Sequence, residues 1–442
     1  MSNQLRRVLF VSGSANSATL RYRVRLAEES LRSRGVMTAA VHFTEPKLLS
    51  WAEDADVLAL YRVPLTRSVA SLVETLRRRG TAVTFDIDDR VFLSEHLAAL
   101  PFLDQLSASD RVRFTEDVPL RGRTAMLADR ASGTTAEIVD DLSGIVAGPA
   151  RLLPNGVGRA AQQAADAVLA RPRELRRNVR LGYFSGSATH DEDWALIEAD
   201  VVELMRQDPS VELWLVGKVA QGDALGPVAD RVRLVPPVDW LDLYELLGSV
   251  DVNLAPLALS SFTAAKSAIK WLEAALVRTP TVATATPPFR AAIEDGTSSL
   301  LVPAGQSWTP TLARLVDDLE LRERLGGVAR EQAMERYGPL VQAERYLEHF
   351  EAALQGPRSQ VATDRLVQAK ADARRVFTVG VSLEPYPFPA DLSSLRMPEP
   401  GWAGALSQVR TVARTSFSRG RRLSRRIGGG VRRRVSRPHA AE

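Results

Sequence analysis

The chain is predicted to be an α/β protein built from two doubly wound units, each a parallel sheet with helices on both faces. Three observations point there. Short apolar strands alternate with helical patterns through residues 6–355. Those strands are too apolar to leave one face in water, as expected of a parallel sheet covered on both sides. The rhythm also stops at residues 158–177, which are rich in Ala, Gln and Arg, and restarts at Val179.

The elements follow in order. RVLFVSG (7–13) is a continuous apolar strand, and the helical pattern from Leu20 to Arg34 ends at Gly35, a C-cap candidate. VMTAAVHF, a helix near Pro46–Glu53 and the strand DVLALYRV (56–63) come next, then a helix over Ser68–Arg79 stopped by Gly80. TAVTFDID (81–88), a long helical region at 107–131, a short strand with its helix and LLPNGV complete the first unit, 1–157. After the 158–177 linker, the second unit (178–355) begins with VRLGYFSGS. It continues through VELWLVGK, RVRLVPPV, DVNLAPL, TVATA and SSLLVP, separated by helices, and ends in helices over Trp308–Leu354. Residues 356–408 contain several prolines and little pattern, and are expected to be a loosely ordered extension.

Composition narrows the classes. The 442 residues imply two or three domains, and 45% hydrophobic with 25% charged residues is ordinary for a soluble globular chain. With no cysteine, a disulfide framework or Cys-based zinc site is excluded. The N-terminus lacks the apolar core of a signal peptide, and no run approaches the ~20 apolar residues of a membrane helix, so a cytoplasmic location is expected. Residues 410–437 hold eleven arginines and no acid; taking these from the net charge of +4 leaves −7 on the rest. An Arg410–Arg437 tail of this kind suits an anionic membrane surface; the alternatives are a solvated tail with no partner and a nucleic-acid or other polyanion partner, the nucleic-acid reading having only the tail in its favour.

Several positions carry candidate chemistry. Phe262–Ala283 reads as one helix and a strand, with Lys266, Lys270 and Glu273 at i, i+4 and i+7 on one face. Two ammoniums and a carboxylate in one pocket suit a phosphate and a sugar diol; the alternative is a core helix with a solvated charged edge. The first strand runs into SGSANSATLRYR, which is neither GxGxxG nor a P-loop, so a dinucleotide oxidoreductase loses its main support. Arg21, Tyr22 and Arg23 are placed to meet an anionic ligand there, or else are solvated helix residues. Asp86 and Asp88, with Asp89, end a strand, where carboxylates suit a general base, hydroxyl recognition or a metal. The small-residue loop with Gly186, Ser187 and His190 opens a helix and offers free N–H groups to a phosphate. Lys218 ends the next strand in the equivalent place.

RLGYFSGSATHDEDW, VELWLVG, DVNLAPL, AAKSAIKWLEAALVRTPTVA and LRERLGGVAREQA resemble the donor domain of GT-B glycosyltransferases, especially glycosyltransferase family 4, and LLPNGV resembles that family's domain junction. The resemblance implies two Rossmann-like domains facing across a cleft. It also implies transfer of a sugar from a nucleotide-sugar donor, with retention and without a metal or other cofactor. It puts the second glutamate of the EX7E motif at Glu273, facing the donor ribose, whereas the first glutamate's position holds Ala265. Thr263 or Lys266 is the candidate replacement. The loop SGSATHD lacks the family's basic residues, so diphosphate binding passes to Lys266 and Lys270 with help from His190. The acceptor-side histidine of the family falls near DIDD, where Asp86 or Asp88 is the catalytic candidate.

The expected protein is a cytoplasmic glycosyltransferase, peripheral on the inner membrane face, acting on a glycan or lipid-linked acceptor in cell-envelope polysaccharide or glycolipid synthesis. The alternatives are a non-catalytic nucleotide-sugar or glycan-binding GT-B protein and a GT-B sugar-nucleotide epimerase.

Overall fold

The computed structural model describes residues 4–100, 102–172, 176–186, 191–219, 222–359, 362, 364–366, 373, 381–397, 399 and 400. The Arg410–Arg437 tail, Ser187 and His190 lie outside the described residues.

Among the described residues, the strands form two parallel six-stranded sheets. The first contains β1 (Arg7–Ser12), β2 (Met37–His42), β3 (Val57–Tyr61), β4 (Ala82–Ile87), β5 (Arg130–Gly133) and β6 (Ala150–Leu152), in the order β2-β1-β3-β4-β5-β6. The second contains β7 (Val179–Ser185), β8 (Val211–Gly217), β9 (Val232–Val235), β10 (Val252–Ala255), β11 (Thr281–Thr284) and β12 (Leu300–Val302), in the order β12-β11-β10-β7-β8-β9. Every residue of β3, β10 and β11 is buried, the physical consequence of helices on both faces.

Local chemistry sets most helix ends. The Arg67–Arg78 helix starts where Thr66 Oγ1 accepts the Val69 N–H at 3.2 Å, and it buries Val69, Leu72, Val73 and Leu76. It stops before Gly80, whose φ of +84° is cheap only for glycine.

Three expectations are corrected. Residues 158–177 are not a bare linker, because Arg159–Leu169 is a helix with Ala160, Ala161 and Ala165 buried. These small residues let it lie close to the Leu243–Ser249 helix, where a Cβ on Gly248 would fall 2.6 Å from Val168. The Pro339–Gln355 helix, expected with the second unit, returns to the first. Its Tyr346 and Phe350 join Val8, Phe10 and Val57 in one core, with the Phe10 and Phe350 rings edge to face at 5.6 Å. Part of the expected loose extension is also ordered. Residues 381–397 lie along the first half, where Met397 N–H donates to Thr38 O at 3.0 Å.

The returning helix brings His349 into the core, 1% exposed and with Nδ1 unpartnered. Burial first, then Arg130, Arg151 and Arg23, lower its pKa to about 3 against the opposing pull of Asp86. His42 is lowered to about 4 by burial. Both rings stay neutral in the folded chain at pH values where the unfolded chain, titrating near 6.5, takes up protons. Stability should therefore fall as pH drops from about 6.5 toward 4. Urea midpoints across that range should show a flatter slope for His349→Leu; an identical slope would exclude His349 as a source of the acid sensitivity.

Candidate functional site

In the second sheet the order of strand addition reverses between β7 and β10. Open α/β sheets bind ligands beside the carboxyl ends of the strands flanking such a reversal. The loops after β7 and β10 therefore mark the site, and the segment after β10 carries Lys266, Lys270 and Glu273. The matching reversal in the first sheet, between β1 and β3, faces the loop at Gly13. A Cβ on Gly13 would sit 2.1 Å from Arg62 O, so only glycine lets these two strand ends approach.

The single helix expected over Phe262–Leu276 is broken. Thr263–Ala265 is a 3-10 turn, Lys266 is extended (φ −74°, ψ 129°), and the α-helix is Ile269–Leu276. Ser260 and Thr263 close the turn reciprocally: Ser260 N–H donates to Thr263 Oγ1 at 2.8 Å and Thr263 N–H donates to Ser260 Oγ at 3.1 Å. Phe262 and Ala265 are drawn into the core of the first half, and Thr135 Oγ1 donates to Ala265 O at 3.1 Å. Lys266 thus leaves the helical face, and its ammonium lies 5.0 Å from the Phe262 ring centre. Thr263, a candidate replacement for the missing first glutamate, spends its hydroxyl on its own turn.

Lys270 and Glu273 stay on the helix but face different surroundings. Lys270 Nζ sits 4.7 Å from the Tyr183 ring centre, buried and without a hydrogen-bond partner. Burial lowers its pKa to about 8, with Lys266 adding to the effect and Asp193 opposing it. The Glu273 carboxylate crosses to the first half of the chain. Its Oε1 accepts from Arg21 Nη2 at 2.9 Å and from the Tyr22 hydroxyl. Arg21 Nη2 also contacts that hydroxyl, and the guanidinium packs 4.2 Å from the Tyr22 ring centre and 4.7 Å from that of Trp240. Burial works against the Arg21 charge, but Tyr22 and Glu273 outweigh it and hold the pKa above its usual range. The cavity at Glu273 measures about 20 Å³ and is lined by Arg21, Tyr22, Trp240, Tyr244 and Tyr386 among others, without either lysine. The expectation of one pocket holding both lysines and Glu273 is corrected to this extent. A volume of that size takes one water or one hydroxyl of a larger ligand.

The remaining candidates separate. Arg23, expected to meet an anion, is spent on Asp86: Nε donates to Oδ1 at 2.9 Å and Nη2 to Oδ2 at 2.5 Å, while Nη1 bonds Leu153 O. Ser132 Oγ adds a third donor to Asp86 at 2.5 Å. Asp88 accepts from the Tyr61 hydroxyl at 2.9 Å and from Arg62 Nε, and Arg62 Nη2 reaches Asp89 at 2.5 Å. Burial raises the Asp88 pKa while Arg62 pulls against it. Arg62 holds this grip from a left-handed backbone, φ 51°, a strained conformation for arginine. Asp86 and Asp88 are thus held in ion pairs rather than left free as bases. Gly186 is exposed at the end of β7, and Lys218 is exposed beyond β8. Among the described residues, no three His, Cys, Asp or Glu side chains gather as a cation site. A second cavity of about 140 Å³ lies between the halves, with Thr135, Asn155, Ser267, Trp271 and Tyr337 on its walls.

Sequence reasoning missed Trp240, Tyr244, Asp193 and Tyr386. Trp240 and Tyr244 stand four residues apart, an aromatic pair that was a legible signal. Asp193 and Tyr386 carried none.

Residues 180–318, from β7 into the helix after β12, match the family model described as glycosyl transferases group 1. No curated protein matches the chain. A glycosyltransferase from Rickettsia africae shares the fold at 11% identity, covering 80% of this chain and 100% of that one, with a TM-score of 0.56. Sucrose-phosphate synthase from Thermosynechococcus elongatus does so at 16% identity, 80% and 100% coverage and a TM-score of 0.54. Anabaena HepE in complex with UDP does so at 13% identity, 78% and 100% coverage and a TM-score of 0.53. Likeness at these identities establishes the two-domain GT-B fold.

A buried ammonium without a partner costs stability. Replacing Lys270 by Met should raise the melting temperature at pH 7. The gain should shrink as pH rises from about 8 toward 10.5, where the native lysine is neutral before the unfolded one. Thermal melts at pH 7 and 9.5 test this; a variant that melts lower at pH 7 refutes it.

Proposed function

We propose, from the premise that residues 180–318 form a group 1 glycosyltransferase domain within a GT-B protein, that this chain transfers a sugar from a nucleotide-sugar donor to an acceptor hydroxyl. The observation that carries the reading is the pair on the helix after β10: a buried, unpartnered Lys270 ammonium and, three residues on, the Glu273 carboxylate oriented from the first half. Breaking a sugar–phosphate bond places negative charge on the departing diphosphate, and a preorganised ammonium stabilises that charge without reorganising at the moment of reaction. The Glu273 cavity takes one hydroxyl, as a ribose would present. The acceptor has room in the larger cavity between the halves. Closure of the halves positions the acceptor and keeps water from competing.

Uridine diphosphate sugars are the first donors to test, because HepE has been solved with UDP-glucose. Retention at the anomeric carbon, independence of metal and a hexosyl group are part of the proposal. So are an envelope glycan or lipid-linked acceptor, a cytoplasmic location and binding of Arg410–Arg437 to anionic lipid.

Incubation with UDP-, GDP-, ADP- and TDP-sugars and candidate acceptors should release nucleoside diphosphate only when donor and acceptor are both present. Donor consumption without acceptor would favour an epimerase, and binding without turnover a non-catalytic protein. Lys270→Ala should lower the rate by about 10²–10³, the range for losing one preorganised donor to developing charge; a loss under threefold removes Lys270 from the mechanism. Deleting residues 409–442 should abolish cosedimentation with phosphatidylserine vesicles, and undiminished cosedimentation overturns the membrane reading.

A further inference from the structure

We propose that Tyr386, on the ordered segment after the two sheets, is a positioning residue for the donor site, acting through Trp240 and Arg21 on Glu273. The inference rests on the reading of Glu273 as the donor's hydroxyl acceptor.

The geometry runs from the carboxylate outward. Both protein donors to Glu273, Arg21 Nη2 and the Tyr22 hydroxyl, use the same oxygen, Oε1. Among the described residues the other oxygen takes no donor, and Glu273 lines the cavity. Arg21 keeps two further N–H groups, at Nε and Nη1, buried and unpartnered. A carboxylate pinned by one oxygen and open at the other is a built acceptor for a ligand hydroxyl.

Arg21 itself is held by π-faces. Its guanidinium packs against the Tyr22 and Trp240 rings, and Trp240 stacks on Tyr386 with centroids 5.7 Å apart and planes 4° from parallel. Tyr386 also lines the Glu273 cavity. It arrives on a strap anchored to the first half on both sides. Before it, Glu384 O accepts from Arg25 Nη2 at 2.7 Å. After it, Phe388 lies beneath the Arg32 guanidinium at 4.1 Å, and Met397 bonds the edge strand β2 at Thr38. The strap thus carries an aromatic ring from the first half onto Trp240 of the second. Removing that ring frees Trp240 and Arg21 to shift, and Glu273 loses its fixed orientation. The effect falls on donor binding, because Tyr386 reaches the site through Trp240 and Arg21, which hold Glu273.

The test compares Tyr386→Ala, Tyr386→Phe, Glu273→Gln and the double variant in the full chain, with UDP as the binding probe in calorimetry and donor KM and kcat in turnover. Tyr386→Ala should weaken UDP binding and raise donor KM about tenfold, with kcat changed less than about threefold. Tyr386→Phe should restore the native values, because the ring does the positioning. Glu273→Gln should weaken binding as well, and adding Tyr386→Ala to it should cost little more, since the two act through one contact. Additive losses, or a Tyr386→Ala variant that lowers melting temperature while leaving KM unchanged, would reduce the strap to a structural brace and overturn the proposal. A native chain that binds no nucleoside diphosphate refutes the functional reading itself, and with it this inference.

Discussion

The Glu273 carboxylate reaches out of its own half and takes two donors from the other, and that contact organises the site. Arg21 and Tyr22 supply the donors across more than 250 residues of sequence. An acid and a guanidinium this buried are costly apart, so each half leaves the other an unsatisfied group if the contact opens. Further bonds run along the same seam: Asn155 Nδ2 donates to Ser267 Oγ at 2.9 Å, and Arg90 Nη1 donates to Ser261 O at 2.7 Å. They are short-range and polar. Apolar packing across the seam gathers around Phe262 and Ala265.

Two groups near the candidate site sit in costly arrangements. The Lys270 ammonium is left buried with no hydrogen-bond partner. Arg62 adopts a left-handed backbone so that one guanidinium can serve Asp88 and Asp89. Neither arrangement is what packing alone would select. The acids of the DIDD run are absorbed by Arg23 and Arg62 and fix strand ends beside the cleft. That removes them from the pool of free bases and leaves Arg62 and Arg23 as the framework of the first half's rim.

The last described elements of the chain pack on its first half. The Pro339–Gln355 helix closes the core beneath β1 and β3, and the strap at 381–397 runs along β2. A protein made of two sheets in sequence is thereby tied into one unit by elements that come after both. This return gives the strap its reach to Trp240.

What the amino-acid order determined by itself is the set of strands and helices and their sorting into two parallel sheets. Apolar runs such as DVLALYRV and DVNLAPL, helix stops such as Gly80, and Thr66 as a cap act over a few residues, so a local pattern encodes them. The helix that carries Lys270 and Glu273 was legible from its apolar spacing, Ile269, Leu272 and Leu276. Tertiary structure decided the rest. It broke the helix at Lys266 because Phe262 and Ala265 gain more by entering the other half's core than by extending the helix. It turned Arg23 from a ligand contact into the partner of Asp86, and residues 158–169 from linker into helix. It set Tyr386 against Trp240. Each of these rests on burial and charge pairing between residues far apart in sequence, and periodicity along the chain carries no information about which distant surfaces meet.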